Sequence, residues 1–226
     1  MLKSDSVIQL IAYNKNPNIG VVGKANDKFG LVPVISPSSF ASAVSETLGV
    51  EVHRINVCGT FLIGAMLALN NKGVVLTRHA YRKEINEMKK LDINVGVVKE
   101  KFTALGNLVL LNDNGAIASK VFGKKTIAIM KDVFDCEVEV RDIGGFKAVG
   151  SAGVATNKGA LVHPMVSEEE LKWMEDVLKV DVDIGTVNRG VGFVRTGIIA
   201  NKNGALVGNE TTGPEIARIE DSLDLL

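Results

Sequence analysis

Five residues in this chain could do covalent or metal chemistry: Cys58, Cys136, His53, His79 and His163. A nucleophilic thiolate needs an electropositive, partly exposed setting with a base in reach. Cys136 stands between Asp135 and Glu137, which oppose ionisation, and Cys58 has apolar and small neighbours in Val57-Cys58-Gly59-Thr60. Both read as small buried hydrophobes. His53 falls on an alternating strand pattern, while His79 and His163 follow their nearest turn glycines by different distances. None belongs to a ligand-spaced cluster, so no metal and no cofactor is expected. Gly185-Thr186-Val187-Asn188-Arg189-Gly190-Val191-Gly192 has the look of a phosphate loop. It lacks the Gly-Lys-Ser/Thr ending and the G-x-G-x-x-G spacing, and reads as a structural loop.

With site chemistry weakly encoded, the surface becomes the candidate. The 226 residues carry 26 basic and 26 acidic side chains and only 5% aromatics. Zero net charge argues against a wholesale grip on nucleic acid, and scarce aromatics argue against a general RNA-binding protein built on stacking. The charge is uneven, however. Between Lys72 and Lys131 there are twelve basic and five acidic residues; between Glu168 and Asp183, seven acids and two lysines; between Glu210 and Asp224, five acids and one arginine. The plain reading is solvated helix faces. The functional reading is a graded surface that meets a partner of mixed protein and nucleic-acid character.

Two cysteines make no disulfide framework. Met1-Leu2-Lys3-Ser4-Asp5 opens no signal peptide, and no apolar run of about 18 residues exists to span a membrane. Asn209-Glu210-Thr211 is a formal glycosylation site that carries no weight without secretion. The expectation is a soluble, cytoplasmic protein without a membrane or small-molecule partner.

The elements that would position any site repeat along the chain. Asn-Lys/Asp-x-Gly phrases followed by apolar runs recur, with glycines at 30, 73, 115, 159 and 204, at steps of 43, 42, 44 and 45 residues. A period of this size marks a repeat or propeller architecture. Each phrase predicts a tight hairpin whose Asn, Asp and Gly supply positive φ. A helix follows each hairpin, with one-sided apolar stripes at Phe40/Val44/Leu48, Ile85/Met88/Leu91, Ile127/Met130/Phe134, Leu171/Met174/Leu178 and Ile216/Ile219/Leu223. Ser36 to Ser39 predict the cap of the first helix, Ser167-Glu168-Glu169-Glu170 a capping box on the fourth, and Thr212 to Glu215 the start of the fifth. Short alternating strands follow the first four helices, as in Val180-Asp181-Val182-Asp183-Ile184. The fifth helix has no strand after it, and Val7 to Ile11 form a strand with no helix before it. Pairing these two ends closes a ring and removes open sheet edges. The fold class is therefore α/β, a five-fold pseudosymmetric α/β propeller closed by its N- and C-terminal segments. Residues 1–226 are expected to form one domain of five repeats, because no unit can bury its core alone.

Equivalent segments leading into the hairpins gather on one face: Asn18-Ile19-Gly20, Ile63-Gly64, Leu105-Gly106-Asn107, Val149-Gly150-Ser151-Ala152 and Val194-Arg195-Thr196. Their small residues serve either a sharp bend or a flat platform for docking a macromolecule.

Several segments together carry a family resemblance: Asn26 to Val32, Ala104-Leu105-Gly106-Asn107, Gly159 to Pro164, Gly185 to Gly190 and Glu210-Thr211-Thr212. From about Asn14 to Leu223 the sequence resembles the translation initiation factor six family, the ribosomal anti-association factors. The absence of a tail beyond the fifth helix resembles the archaeal type. Thr77-Arg78 departs from the family, which more often has a proline there. The resemblance implies a pentein-like propeller that binds the large ribosomal subunit on its intersubunit face. It would act as a monomer, among ribosomal proteins and ribosomal RNA near the sarcin-ricin loop, and would block the small subunit sterically. It maps the contacts onto the small-residue platform, at Gly20, Gly64, Asn107, Ala152 and Val191. Asn107 lies in the matched Ala-Leu-Gly-Asn motif, and the others follow from repeat equivalence and weaker local matches. The alternative is a guanidine-modifying enzyme of the same propeller fold, which would need Cys58 or Cys136 in a pocket with a histidine and an acid.

Overall fold

Each hairpin, helix and strand phrase folds into one three-stranded unit of a closed ring (a computed structural model, describing residues 7–225). The opening segment Met1 to Asp5 lies outside the described residues. After the closing strand β1 (Ile8–Ile11), the first unit runs α1 (Ile19–Val22), β2 (Lys24–Ala25), β3 (Phe29–Val32), α2 (Ser38–Leu48) and β4 (Glu51–Arg54). The second runs α3 (Ile63–Met66), β5 (Ala68–Leu69), β6 (Gly73–Thr77), α4 (Arg82–Lys89) and β7 (Asn94–Val98). The third opens with a 3-10 turn (Leu105–Asn107), then β8 (Val109–Leu111), β9 (Gly115–Ala118), α5 (Lys124–Phe134) and β10 (Glu137–Val140). The fourth runs α6 (Val149–Ala152), β11 (Gly153–Ala155), β12 (Gly159–Val162), α7 (Glu168–Leu178) and β13 (Asp181–Ile184). The fifth has a 3-10 turn (Val194–Gly197), β14 (Ile198–Asn201), β15 (Gly204–Gly208) and α8 (Gly213–Ser222).

In every unit the inner hairpin is antiparallel and the outer strand pairs parallel to the hairpin's second strand. The fifth unit borrows its outer strand: β1 pairs parallel with β15, from Ile8 opposite Ala205 to Ile11 opposite Gly208. The two ends of the chain thus close the ring, as their unmatched elements predict.

The middle strand of each unit is buried along its whole length. Its two faces serve different cores. Leu31 packs into the cluster around Met88, Val75 into that around Met130, Ile117 into that around Met174, Leu161 into that around Ile219, and Leu206 into that around Phe40. Each cluster is therefore filled by two consecutive repeats, so a single unit would leave one face of its middle strand in water.

Two expectations about the turns are corrected. None of the glycines at 30, 73, 115, 159 and 204 has positive φ. The turns are instead closed by the leading side chain: Asn26 Oδ1 accepts from Lys28 N and Phe29 N at 2.9 and 2.8 Å. Asn70, Asn112 and Asn201 do the same, and the Thr156 hydroxyl replaces the amide in the fourth repeat. The glycines are required by packing. A β-carbon on Gly73 would sit 2.2 Å from the Val133 carbonyl oxygen, and on Gly159 2.1 Å from that of Ser222, each on the next repeat's helix. The repeat register also shifts by one residue in the first unit. The residue equivalent to Gly73 is Phe29, not Gly30, because both donate to the turn asparagine three residues earlier. Phe29 joins the Met88 cluster, beside α4, the shortest of the five long helices.

Capping follows the sequence at two of the three predicted ends. Glu170 reaches back to Ser167 N at 3.0 Å, and Glu215 to Thr212 N at 2.7 Å. Pro37 is the residue before α2, no side chain caps that helix, and the buried Ser36 hydroxyl has no partner among the described residues. A Pro N-cap presents no side-chain acceptor, and Ser36 stands one residue too early.

Candidate functional site

The inner strands β2, β5, β8, β11 and β14 surround the pseudo-five-fold axis. At one end of that axis the short helices and 3-10 turns bring four glycines into a ring. A β-carbon on Gly20 would lie 2.0 Å from the Arg195 carbonyl oxygen. The same atom on Gly64 would lie 2.0 Å from the Gly20 oxygen, on Gly106 2.1 Å from the Gly64 oxygen, and on Gly150 2.2 Å from the Gly106 oxygen. The fifth member is Arg195, whose buried side chain fills the ring. Its Nη1 donates to the carbonyls of Gly20 (2.7 Å) and Ile198 (3.0 Å), and Nη2 to that of Gly64 (3.5 Å). Burial lowers its pKa only to about 10, so it is a cation at neutral pH.

At the other end the turn asparagines link the repeats. Asn26 Nδ2 donates to Asn70 O, Asn70 to Asn112 O, Asn112 to Thr156 O and Asn201 to Asn26 O, at 3.0–3.2 Å. Thr156 has no amide, so the step from the fourth repeat to the fifth is missing. Asn70, Asn112 and Asn201 also donate to the last helix carbonyls of Phe134, Leu178 and Leu48, which would otherwise be orphaned. The neighbouring Asp27, Asn71, Asp113 and Asn157 form a parallel belt, with Asn71 and Asn157 each bridging the carboxylates of Asp27 and Asp113.

Beyond the glycine ring the molecule opens into a shallow basin of about 840 Å³. Tyr13, Asn18 and Val21 come from the first repeat, Phe61 and Leu62 from the second, Ala148 and Ser151 from the fourth, and Val191, Phe193 and Thr196 from the fifth. The loops that supply its lining residues carry tight turns that do use positive φ: Asn14-Lys15, Cys58-Gly59, Gly144-Gly145 and Asn188-Arg189-Gly190. Three are pinned by the third residue of a following helix. Glu84 accepts from Cys58 N and Gly59 N, Glu170 from Gly144 N, and Glu215 from Gly190 N. The Gly185 to Gly192 segment is thus a structural loop. Burial alone would raise the Glu215 pKa, but hydrogen bonds from Thr212, Thr186 and Gly190 outweigh it and hold it at about 2.

The five residues singled out in the sequence separate here. Val191 is 38% exposed and lines the basin, together with Phe61, 44% exposed, which the sequence reading missed. Asn107 is half-buried on the 3-10 turn of the third repeat and is not among the basin's lining residues. Gly20, Gly64 and Ala152 are buried. The glycines turn inward to let backbones meet at the axis, while Asn18, Ser151 and Thr196 of the same segments line the basin beside the larger Tyr13, Phe61, Val191 and Phe193.

The cysteines and histidines stand apart. The Cys58 Sγ lies 3.4 Å from Thr77 Oγ1, and burial raises the thiol's pKa. Burial pushes Cys136 up to about 11. His53 packs edge-on to Phe29. His79 is exposed beside Arg78. His163 is packed between Phe146 and Phe193, its Nδ1 accepts from Met165 N, and burial lowers its pKa.

Five sheets closed around a plugged axis define a pentein-type α/β propeller. The same fold appears in a dimethylarginine dimethylaminohydrolase adduct with S-methyl-L-thiocitrulline (TM-score 0.50, 14% identity, 92% of this chain and 74% of that one). Within that class, the chain belongs to the eIF-6 family, whose model matches residues 8–222. It is 40% identical to Translation initiation factor 6 of Pyrococcus horikoshii over 222 residues, covering 96% of this chain and 98% of that protein. To Translation initiation factor 6 of Methanocaldococcus jannaschii it is 38% identical over 220 residues, covering 93% and 95%. The family is one of translation initiation factors. No helix among the described residues is long and apolar enough to cross a membrane.

Proposed function

We propose that this chain binds the intersubunit face of the large ribosomal subunit through its basin and sterically prevents the small subunit from joining. The observation that carries the reading is the basin itself: an open surface, assembled from four repeats, with exposed Phe61 and Val191 over a floor that cannot yield. A rigid concave surface with aromatic anchors and a polar rim suits a protein partner that arrives folded. The exposed basic side chains of the second and third repeats, among them Arg78, Arg82, Lys83, Lys99 and Lys101, provide charge for nearby ribosomal RNA such as the sarcin-ricin loop. The factor acts as a monomer, in the cytoplasm, by occupancy alone.

The competing enzymatic reading requires an activated nucleophile in the axial channel. Arg195 occupies that place with its own guanidinium, and both thiols are held protonated. Co-sedimentation with isolated subunits tests the proposal. The protein is expected to travel with the large subunit only and to reduce the yield of joined ribosomes. Migration with neither subunit, or joining unaffected at saturation, overturns it.

A further inference from the structure

Every repeat but the first seats a carboxylate where its entering segment meets the start of its long helix. In the second, Glu84 Oε2 accepts from Cys58 N at 2.8 Å and Oε1 from Gly59 N at 2.9 Å. In the fourth, Glu170 Oε1 accepts from Gly144 N at 3.0 Å, and in the fifth Glu215 accepts from Arg189 N at 3.2 Å and Gly190 N at 2.8 Å. The third repeat reverses the roles: Glu100 of the entering segment accepts from Gly123 N and Thr126 Oγ1 at the start of α5. In the first repeat the third helical residue is Phe40, 2% exposed, turned into the core and edge-on to Tyr13. Pro37 before that helix has no N–H for a glutamate to reach back to.

The turn itself keeps its shape. Its φ values are 50° and 66° at Asn14 and Lys15, against 56° and 69° at Cys58 and Gly59. The turn is exposed, Asn14 and Asn16 line the basin, and among the described residues neither Asn14 N nor Lys15 N donates to an acceptor. The same junction holds two buried hydroxyls without a partner among the described residues, those of Tyr13 and Ser36. Ser36 stands where Thr211 of the fifth repeat accepts from Asn188 N at 3.2 Å. We propose that the Asn14-Lys15 turn is a docking site for an aspartate or glutamate side chain of a protein partner, which takes the place that Glu84, Glu170 and Glu215 hold in their own repeats. The proposal rests on the basin being the docking face, and it names the chemistry that the partner brings to the basin's first repeat. A planar carboxylate meets two adjacent N–H groups with one oxygen each, as Glu84 does. Exposed Val34 and Ile35, on the loop that carries Ser36, offer apolar contact to a polypeptide and not to a sugar-phosphate backbone. The exposed Lys15, in no ion pair among the described residues, adds a cation beside the site.

Two measurements test the site, and the first needs no ribosome. The peptide N-acetyl-Ile-Glu-Ile-amide, its Gln counterpart and inorganic phosphate are titrated at constant ionic strength into the full chain labelled with nitrogen-15. The Glu peptide is expected to move the amide protons of Asn14 and Lys15 downfield, and the Gln peptide to leave them in place. Amides that do not respond to the Glu peptide, that respond equally to the Gln peptide, or that respond to phosphate alone overturn the site, the last by assigning the turn to nucleic acid. The second measurement is the affinity of Lys15→Glu for isolated large ribosomal subunits. This exposed change places a like charge beside the incoming carboxylate and is expected to weaken binding at least about fivefold at unchanged Tm. Affinity equal to that of the natural chain overturns the site while leaving the basin reading in place. A natural chain that does not bind the large subunit strikes the basin reading instead, and the peptide titration then decides the site.

Discussion

The two ends of the pseudo-five-fold axis are built on opposite principles. At the belt end the repeats agree. Four of five supply the same asparagine, making the same turn and the same donation to the next repeat. At the basin end they differ. The glycine ring is broken by Arg195, four repeats line the basin and the third does not, and the positive-φ turns in the loops that supply the lining vary in length and residue type. Residues that repeat hold the ring closed, and residues that depart from the repeat shape the surface and the plug. A ring of identical units would have a featureless face. Specific docking, as proposed for the basin, needs asymmetry, and the repeats differ most at that end, whereas the belt breaks the pattern mainly at Thr156.

The largest effect is expected where backbones meet. Gly64→Ala forces a methyl to 2.0 Å from the Gly20 carbonyl, with no flexible side chain to give way. It should cost about 3–5 kcal/mol or prevent folding, as severe overpacking does. Chemical denaturation checks this, and a loss below about 1 kcal/mol would mean that the ring is looser than described. Gly20→Arg belongs with it. It is a test of the ring and not of the binding face.

At the belt end, Asn112→Ala removes donations to Thr156 O and Leu178 O and the acceptor for Asn114 N and Gly115 N. Several buried groups then lose partners, at about 2–4 kcal/mol in total. The converse change, Thr156→Asn, supplies the one missing link and should stabilise by about 1 kcal/mol. If both changes leave the denaturation midpoint unmoved, the belt is ornament and the comparison between the two ends fails. The five units are proposed to unfold as one domain, so these losses should appear in a single cooperative transition.

Acid sharpens the contrast more gently. The Glu215 pKa is held at about 2, below its ordinary value of 4.5. Its contribution to stability is therefore present above about pH 4.5 and is lost as pH falls toward 2. Glu215→Gln should flatten the acid limb of the stability curve while leaving the neutral Tm lowered. An acid limb identical to that of the natural protein would remove Glu215 from the account.

Much of the ring was legible in the sequence, because Asn70, Asn112 and Asn201 recur at a nearly constant step and because the unpaired terminal elements have one economical solution. The missed register in the first repeat has a clear cause: Phe29 holds the glycine position, and Gly30 beside it mimics the pattern. The positive-φ expectation failed because an asparagine side chain closes the turn without it. The site was less legible. Gly20 and Gly64 are small because backbones approach closely there, Ala152 is buried in a core, and the same composition would suit an exposed platform. Phe61 carries no motif. Arg195 and Phe40 did leave a signal, a charge where the repeat asks for glycine and a ring where it asks for glutamate or threonine, and it is read by aligning the repeats with one another.

The central claim is that binding belongs to the exposed residues of the basin end, outside the buried glycine ring, and that the belt end serves ring integrity alone. The most direct measurement is the affinity for isolated large ribosomal subunits of three proteins: the natural chain, Phe61→Asp with Val191→Arg, and Lys202→Glu at the belt end. The account predicts that the basin variant keeps its Tm and binds at least about tenfold more weakly, a change of about 1.4 kcal/mol, while Lys202→Glu binds as the natural chain does. Unchanged affinity in the basin variant, with loss in Lys202→Glu, would place the docking face at the opposite end and contradict the account.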